Sequence, residues 1–331
     1  MAELTTAGMG KTKRFDFQQF TRDHGILIGF FIIIVLLSIA RPNFLRTANL
    51  INVLRQVSCI GIATLGVGML IIMNQIDLAI GSTFALAGVV AGVIVSTSNG
   101  DFYLGLPSGL GFVAGIGVSM VVALVAGSII AKARIPAFIV TMGTMSIGRG
   151  LAQITAHGMP VGGFPDAFSY FGSASLGPIP WPVIIYIIAI VFSWYILNKR
   201  PLGRYIYAVG SNEEAARAAG INVDLVKIKT YLIEGLLVGL GSVILAARLK
   251  SASPAAGNSY ELDAIAGCII GGVSFTGGIG NVSDMVIGAL LLGVISNGMD
   301  LLGVSAFYKL VVKGSIIIIA VLIDRKRTGR A

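Results

Sequence analysis

Charge is scarce in this sequence. Asp, Glu, Lys and Arg make up 12% of its 331 residues, against about 25% in an ordinary soluble domain. So few charges cannot cover a surface that meets water on every side, which excludes a soluble globular protein. Cysteine is rarer still. Cys59 and Cys268 each lie in an apolar stretch, with no spacing suited to a disulfide or a metal, and read as packing residues. His24 and His157 stand alone, and no HExxH or GxSxG motif occurs. Gly10-Lys11-Thr12 imitates the end of a phosphate-binding loop, but Thr5 stands where its first glycine belongs and no strand precedes it. Gly109-x-Gly111-x-x-Ala114 imitates a dinucleotide fingerprint inside an apolar run long enough to cross a membrane. The chain is expected to bind no cofactor or metal and to catalyse no reaction. Energy from ATP would have to reach it through a partner.

Hydrophobicity is what the sequence has in quantity: 55% of residues are hydrophobic and the mean hydropathy is +0.89. A spanning helix needs about 20 apolar residues. Apolar stretches lie at 25–40, 56–73, 78–97, 108–131, 135–156, 181–197, 230–249, 263–279, 284–299 and 309–323. They predict an all-α polytopic membrane protein with about ten transmembrane helices in one domain, 25–323, between cytoplasmic ends at 1–24 and 324–331. The first stretch ends Ser38-Ile39-Ala40, which resembles a signal-peptidase site. Nothing soluble follows it, so it is read as a retained first span.

The net charge of +9 is explained by the membrane, not by nucleic acid. Sixteen of the 24 Lys and Arg fall in four clusters: Lys11, Lys13, Arg14 and Arg22; Lys132 and Arg134; the 199–229 segment; and Arg325, Lys326, Arg327 and Arg330. With both termini inside, all four clusters are cytoplasmic, as the positive-inside rule requires. Arg41, Arg46 and Lys250 fall near external ends and fit less well.

One long hydrophilic segment, 198–229, interrupts the apolar chain. Within it Ser211-Asn212-Glu213-Glu214 has the pattern of a capping box, with Ser211 as the cap and Glu214 reaching back. Glu213 and Arg217 are spaced i,i+4 in the favourable order, and Gly220 suits the left-handed residue that ends a helix. About two turns of helix are expected. So short a helix needs something to pack against.

Polar residues inside or beside the spans have two readings each. Asn74-Gln75-Ile76-Asp77 precedes Ser82 and Thr83. These residues either cap the next helix or line a permeation route, since an ionised Asp at membrane depth needs partners or water. Glu261 and Asp263, behind Tyr260, are either dipole partners in a first helical turn or part of that route. Gly271 and Gly272 open a glycine cluster running to Gly280, which marks a tight turn or a broken helix. Arg149, Glu234, Asn297 and Asp300 are further polar residues within or near spans. The pairs Gly88/Gly92, Gly111/Gly115, Gly235/Gly239 and Gly267/Gly271 suit close helix contacts, chiefly within one bundle.

Five blocks carry a family resemblance: Ile76-Asp77-Leu78-Ala79-Ile80-Gly81-Ser82, Ala133-Arg134-Ile135-Pro136-Ala137-Phe138-Ile139, Leu202-Gly203-Arg204-Tyr205-Ile206-Tyr207-Ala208-Val209-Gly210, Tyr260-Glu261-Leu262-Asp263-Ala264-Ile265-Ala266 and Leu302-Gly303-Val304-Ser305. In this order they resemble the membrane permeases of bacterial ATP-binding-cassette importers for simple sugars, the ribose branch most of all. The resemblance implies a fold like the vitamin B12 importer permease (a type II importer bundle). It also implies a homodimer in the inner membrane, a cytoplasmic ATPase with two nucleotide-binding domains, and a periplasmic sugar-binding protein. On this resemblance Ser211, Glu213, Glu214, Arg217 and Gly220 belong to a coupling helix that docks on the ATPase. Asn74, Asp77, Ser82 and Asn297 are candidates for the translocation pathway. Tyr260, Glu261, Asp263, Gly271 and Gly272 are candidates for a structural or gating role. The chain has Asn74-Gln75 where the family often has Ser-Gly or Gly-Gly, and Leu78-Ala79-Ile80 where it often has Leu-Ser-Val, so the sugar stays open. An ion-gradient-driven transporter is the competing reading, and it needs intramembrane acids arranged for proton or sodium coupling.

Overall fold

The structure is a computed structural model that describes residues 17–98 and 103–328. The tripeptide at Gly10 and the basic residues Lys11, Lys13, Arg14 and Arg330 lie outside the described residues. Thirteen helices occur among those described. They are α1 (Phe17–Ala40), α2 (Thr47–Ile72), α3 (Ile80–Val95), α4 (Ser108–Ala133), α5 (Ala137–Thr155), α6 (Asp166–Ser173), α7 (Trp181–Lys199), α8 (Pro201–Ser211), α9 (Glu213–Ala218), α10 (Val223–Leu249), α11 (Tyr260–Gly271), α12 (Val282–Leu301) and α13 (Ala306–Thr328). The only strands among the described residues are β1 (Ser175–Leu176) and β2 (Ile179–Pro180), an antiparallel hairpin around Gly177. The helix α6 and this hairpin were not expected from the sequence. The helix is held by a ring cluster in which Phe168 meets Phe112 and Phe164 at 4.9 and 5.2 Å between centroids. The hairpin is closed by its own pairing of Ser175 with Pro180 and Leu176 with Ile179.

Every apolar stretch lies over a helix, and five helices are long and apolar enough to cross a membrane: α2, α4, α7, α10 and α12. The chain is mostly helical and reads as a multi-pass membrane protein. The axis of the bundle is α2, buried without a break from Gly61 to Met73, as befits a helix that is apolar all round. Against it run α10, α12, α7 and α11, while α4 packs along α10 and α3 fits between α4 and α5. Much of α4 and α7 faces outward.

Small residues let these helices approach, as the GxxxG spacing implied. The Ser119 hydroxyl of α4 donates to the Gly235 carbonyl of α10 at 2.7 Å. Gly111 and Gly115 lie on α3, and Gly271 lies against the Asp284 carbonyl of α12. All four pairs face neighbours inside this one bundle.

Two helices, α3 and α11, are shorter than the apolar stretches they overlap. The stretch 263–279 is not one span: α11 stops at Gly271 because Gly272 turns left-handed, φ +119°, and 272–281 forms a loop. At about 1.5 Å per residue, α11 is about 18 Å long and α3 about 24 Å, both short of a hydrocarbon core of about 30 Å. Non-helical chain precedes each of them, 73–79 before α3 and 250–259 before α11. The two half-helices meet at their N-termini. There Gly81 and Gly257 are pressed together so closely that a Cβ on Gly81 would strike the Gly257 carbonyl oxygen, and the rings of Phe84 and Tyr260 stack edge-on at 5.1 Å.

Candidate functional site

The 198–229 segment folds as two helices in place of one. Pro201 opens α8, where its missing amide costs nothing, and the helix buries Gly203, Ile206, Val209 and Gly210. It runs on through Ser211, whose hydroxyl donates back to the Tyr207 carbonyl at 2.9 Å. Ser211 is therefore not the cap expected of it, and Glu214 closes no capping box. The cap is Asn212, in extended conformation, and its side-chain oxygen accepts from the Ala215 amide at 2.9 Å. Register explains the difference. The amphipathic face of α8 carries the first helix one residue further than capping chemistry alone suggests, so Ala215 takes the third position that Glu214 was to fill.

The other local expectations for the helix, its ion pair and its ending, hold. Gly220 has φ +84°, its amide reaches the Arg217 carbonyl, and the Ile221 amide reaches Ala216, each at 3.1 Å. That double bond pattern is a Schellman ending. Arg217 pairs with Glu213 at 3.3 Å and with Asp224 at 3.1 Å. The hydrogen bond to Asp224 above all, and then the one to Glu213, raises the guanidinium further above its ordinary range. Glu213 also takes the Lys227 ammonium at 2.8 Å, and Lys227 is only 7% exposed. So Glu213 staples α9 to α10. Glu214 is exposed and makes no side-chain bond to any described residue. Two acids that look alike in the sequence have different tasks.

Ser211 and Asn74 come together. Asn74, exposed and left-handed at φ +57°, lies against Gly277, while Ser211 lies against Gly278. Both therefore stand at the 272–281 loop, at the same end of the bundle as α8. Asp77 is deeper. It is buried and accepts from the Ala79 amide at 2.6 Å, an Asx turn that leads the chain into α3. Ala79, not Ser82 or Thr83, is the residue at the cap of that helix. Ser82 donates to the Ala79 carbonyl at 2.8 Å and faces Gly148 of α5. Glu261 reaches the meeting point from the other half-helix, its Oε2 against Gly81. Arg149 of α5 clamps the chain before α11, with Nη1 donating to the carbonyls of Pro254 at 2.7 Å and Ala256 at 2.9 Å. Asp77, Ser82, Tyr260 and Glu261 thus share one site, with Arg149, one of the polar residues noted within the spans, as its basic member.

Two candidates lie elsewhere. Asp263 faces α13 and pairs with Lys313 at 2.7 Å. Asn297, near the far end of α12, exchanges amide bonds with Asn49 at 2.9 and 3.0 Å, a helix clasp that leaves its amide engaged by protein. Cys59 and Cys268 are free and buried. Among the described residues no group of three or more His, Cys, Asp or Glu is placed to hold a metal ion.

Residues 49–321 match the family described as the permease component of the branched-chain amino acid transport system. The chain belongs to this permease family. It is 41% identical over 320 residues to the ribose import permease protein RbsC of Bacillus subtilis (strain 168), covering 96% of this chain and 97% of that one. With the ribose import permease protein RbsC of Escherichia coli (strain K12) it shares 42% over 305 residues, 91% and 93% of the two chains. With the L-arabinose transport system permease protein AraH of Escherichia coli (strain K12) it shares 35% over 326 residues, 98% and 97%. No solved structure matches the permease.

Proposed function

We propose that the permease is the membrane subunit of an ATP-binding-cassette importer that carries a monosaccharide, ribose foremost, across the bacterial inner membrane. The observation that carries this reading is the near end-to-end relation to two ribose import permeases at 41% and 42% identity. On this reading it works as a homodimer of ten-span, vitamin B12 importer-type subunits, with both termini and the 198–229 segment in the cytoplasm. A separate ATPase with two nucleotide-binding domains docks on α9, and a periplasmic sugar-binding protein delivers the cargo.

The permease performs no chemistry in this scheme. Binding protein outside and ATP inside each favour one of two arrangements of the bundle, and only that difference in affinity moves it. A pentose carries several hydroxyls, and each one left unpaired in a dry pocket costs about 1–3 kcal/mol. A wet conduit, with selectivity left to the binding protein, avoids that cost. Glu214 supports the docking role because it is charged, exposed and without a side-chain bond among the described residues, on a helix fixed at both ends.

Buried acids favour a second reading, an ion-gradient-driven transporter: Asp77 and Glu234 are both buried, with Glu261 at the same meeting point as Asp77. One experiment separates the two. The permease is purified in mild detergent from cells expressing the whole importer, then reconstituted in vesicles. Recovery of a two-domain ATPase and ribose uptake that requires ATP are expected. Uptake driven by a pH or sodium gradient in vesicles without ATPase would overturn the proposal.

A further inference from the structure

The end of α8 sits in a joint with little slack. Gly210 lies flat on the end of α2, where a Cβ would run into the Ile72 carbonyl oxygen. That same carbonyl accepts from the Gly278 amide at 2.8 Å, so α8, α2 and the 272–281 loop share one contact. One turn back, the Tyr207 phenol donates to the Gly280 carbonyl at 2.7 Å, at the far side of the loop. Burial, and then the charge of Asp284, raises the Tyr207 phenol above its ordinary value, so it stays a donor. From α13, the Asp324 carboxylate accepts from the Phe275 amide at 3.0 Å and the Ser274 hydroxyl at 3.2 Å.

The loop follows directly on α11, which packs against α12, α2 and α13. Left-handed residues bound α11 on both sides, Ser259 at φ +66° and Gly272 at φ +119°, so the helix is a separate short rod that stops at both ends. Its far end abuts α3 at Gly81, beside Asp77. The helix α10, which follows α9 directly in sequence, is likewise held along its length, by α4 and α2. Its Tyr231 is seated on Gly127 and its Glu234 on Gly66.

We propose that Tyr207 is a positioning residue for coupled transport, tying the coupling segment to the 272–281 loop so that α11 carries its motion to the meeting point of the half-helices. This rests on the reading of the chain as an ATP-driven permease. The contact that carries the motion is the lateral one between α8 and the loop, at Tyr207 and Gly280. Asp324 keeps the loop in register from the opposite side.

The test uses the full complex of permease, ATPase and binding protein in vesicles, with sugar uptake and ATP hydrolysis measured together. Tyr207→Phe keeps the ring and removes only the bond to Gly280. The expected result is a fall of about five-fold or more in sugar moved per ATP hydrolysed, with ATPase association and thermal midpoint as in the parent. Asp324→Asn is expected to shift the ratio in the same direction and less. Tyr308→Phe, on an outward-facing part of α13, serves as the control with no change. An unaltered ratio in Tyr207→Phe overturns the proposal. So does a lowered midpoint with uptake and hydrolysis falling in proportion, which is what a merely structural role predicts. A parent complex without ATP-driven uptake would overturn the permease reading itself, and that arm tells the two failures apart.

Discussion

Glu213 and Glu214 are neighbours with the same chemistry, and the fold separates them. Removing Glu213 leaves Lys227 without its nearest carboxylate in an almost fully buried place. A hydrogen-bonded charge stripped of its partner costs about 1–3 kcal/mol, so Glu213→Gln is expected to lower the thermal midpoint of the purified permease. Glu214 makes no side-chain bond to any described residue, so Glu214→Lys is expected to stay within about 0.5 kcal/mol of the parent. Its effect is to appear in coupling, as lost ATPase association or lost ATP-driven uptake at normal membrane levels. The reverse pattern, a destabilised Glu214→Lys with coupling intact, would remove the docking role from α9. Asn297 is argued the same way. Its exchange of amide bonds with Asn49 makes Asn297→Ala a stability variant, costing about 1–3 kcal/mol through the stranded Asn49 amide. Selective loss of uptake with an unshifted midpoint would return it to the pathway.

At the scale of elements, close approach decides where glycine is needed. Gly210 lies on backbone of another element, and a methyl group there has no flexible side chain to displace. Gly210→Ala is expected to cost about 1–3 kcal/mol, the usual penalty for overpacking. Gly143, on the outward face of α5, has nothing within 4 Å of where a Cβ would stand. Gly143→Ala is expected to be neutral or to gain up to about 1 kcal/mol, because Ala loses less entropy in a helix. Melting of the two variants side by side checks both signs. The positions of the long helices could be read from the sequence, because runs such as 56–73 and 108–131 are apolar for their full length. Of the half-helices only the end of α11 was legible, in the glycine cluster that opens at Gly271 and Gly272. Hydropathy averages over 263–279 and hides that break, while the 250–259 chain, with three serines and an Asn, reads as a surface loop. Likewise Ser211 had the right chemistry for a cap. What displaced it was the apolar face of α8, a tertiary demand that capping patterns do not encode. The gathering of Asp77, Glu261 and Arg149 depends on two chain breaks meeting in space, and no spacing along the sequence signals that.

For the whole molecule the decisive quantity is which side of the membrane α9 faces. Only α7 lies between the Gly177 hairpin and α8, and it is one of the five helices long and apolar enough to cross. Its two ends differ in the way the positive-inside rule demands. Lys199, Arg200 and Arg204 crowd one end, with Lys199 over the Trp194 ring at 5.4 Å and Arg200 over the Tyr195 ring at 5.0 Å. The hairpin at the other end, 174–180, has no charged residue. A cysteine at Glu214 and one at the exposed Leu176 of the hairpin must then lie on opposite faces. Because Cys59 and Cys268 are both buried, a membrane-impermeant thiol reagent should find only the introduced residue. Leu176→Cys is expected to be labelled in spheroplasts as they stand, and Glu214→Cys only after the membrane is opened. Labelling of both from outside would mean that α7 does not cross, which would leave α9 out of an ATPase's reach. Labelling of Glu214→Cys alone from outside would invert the permease, and the basic end of α7 would then face the wrong compartment.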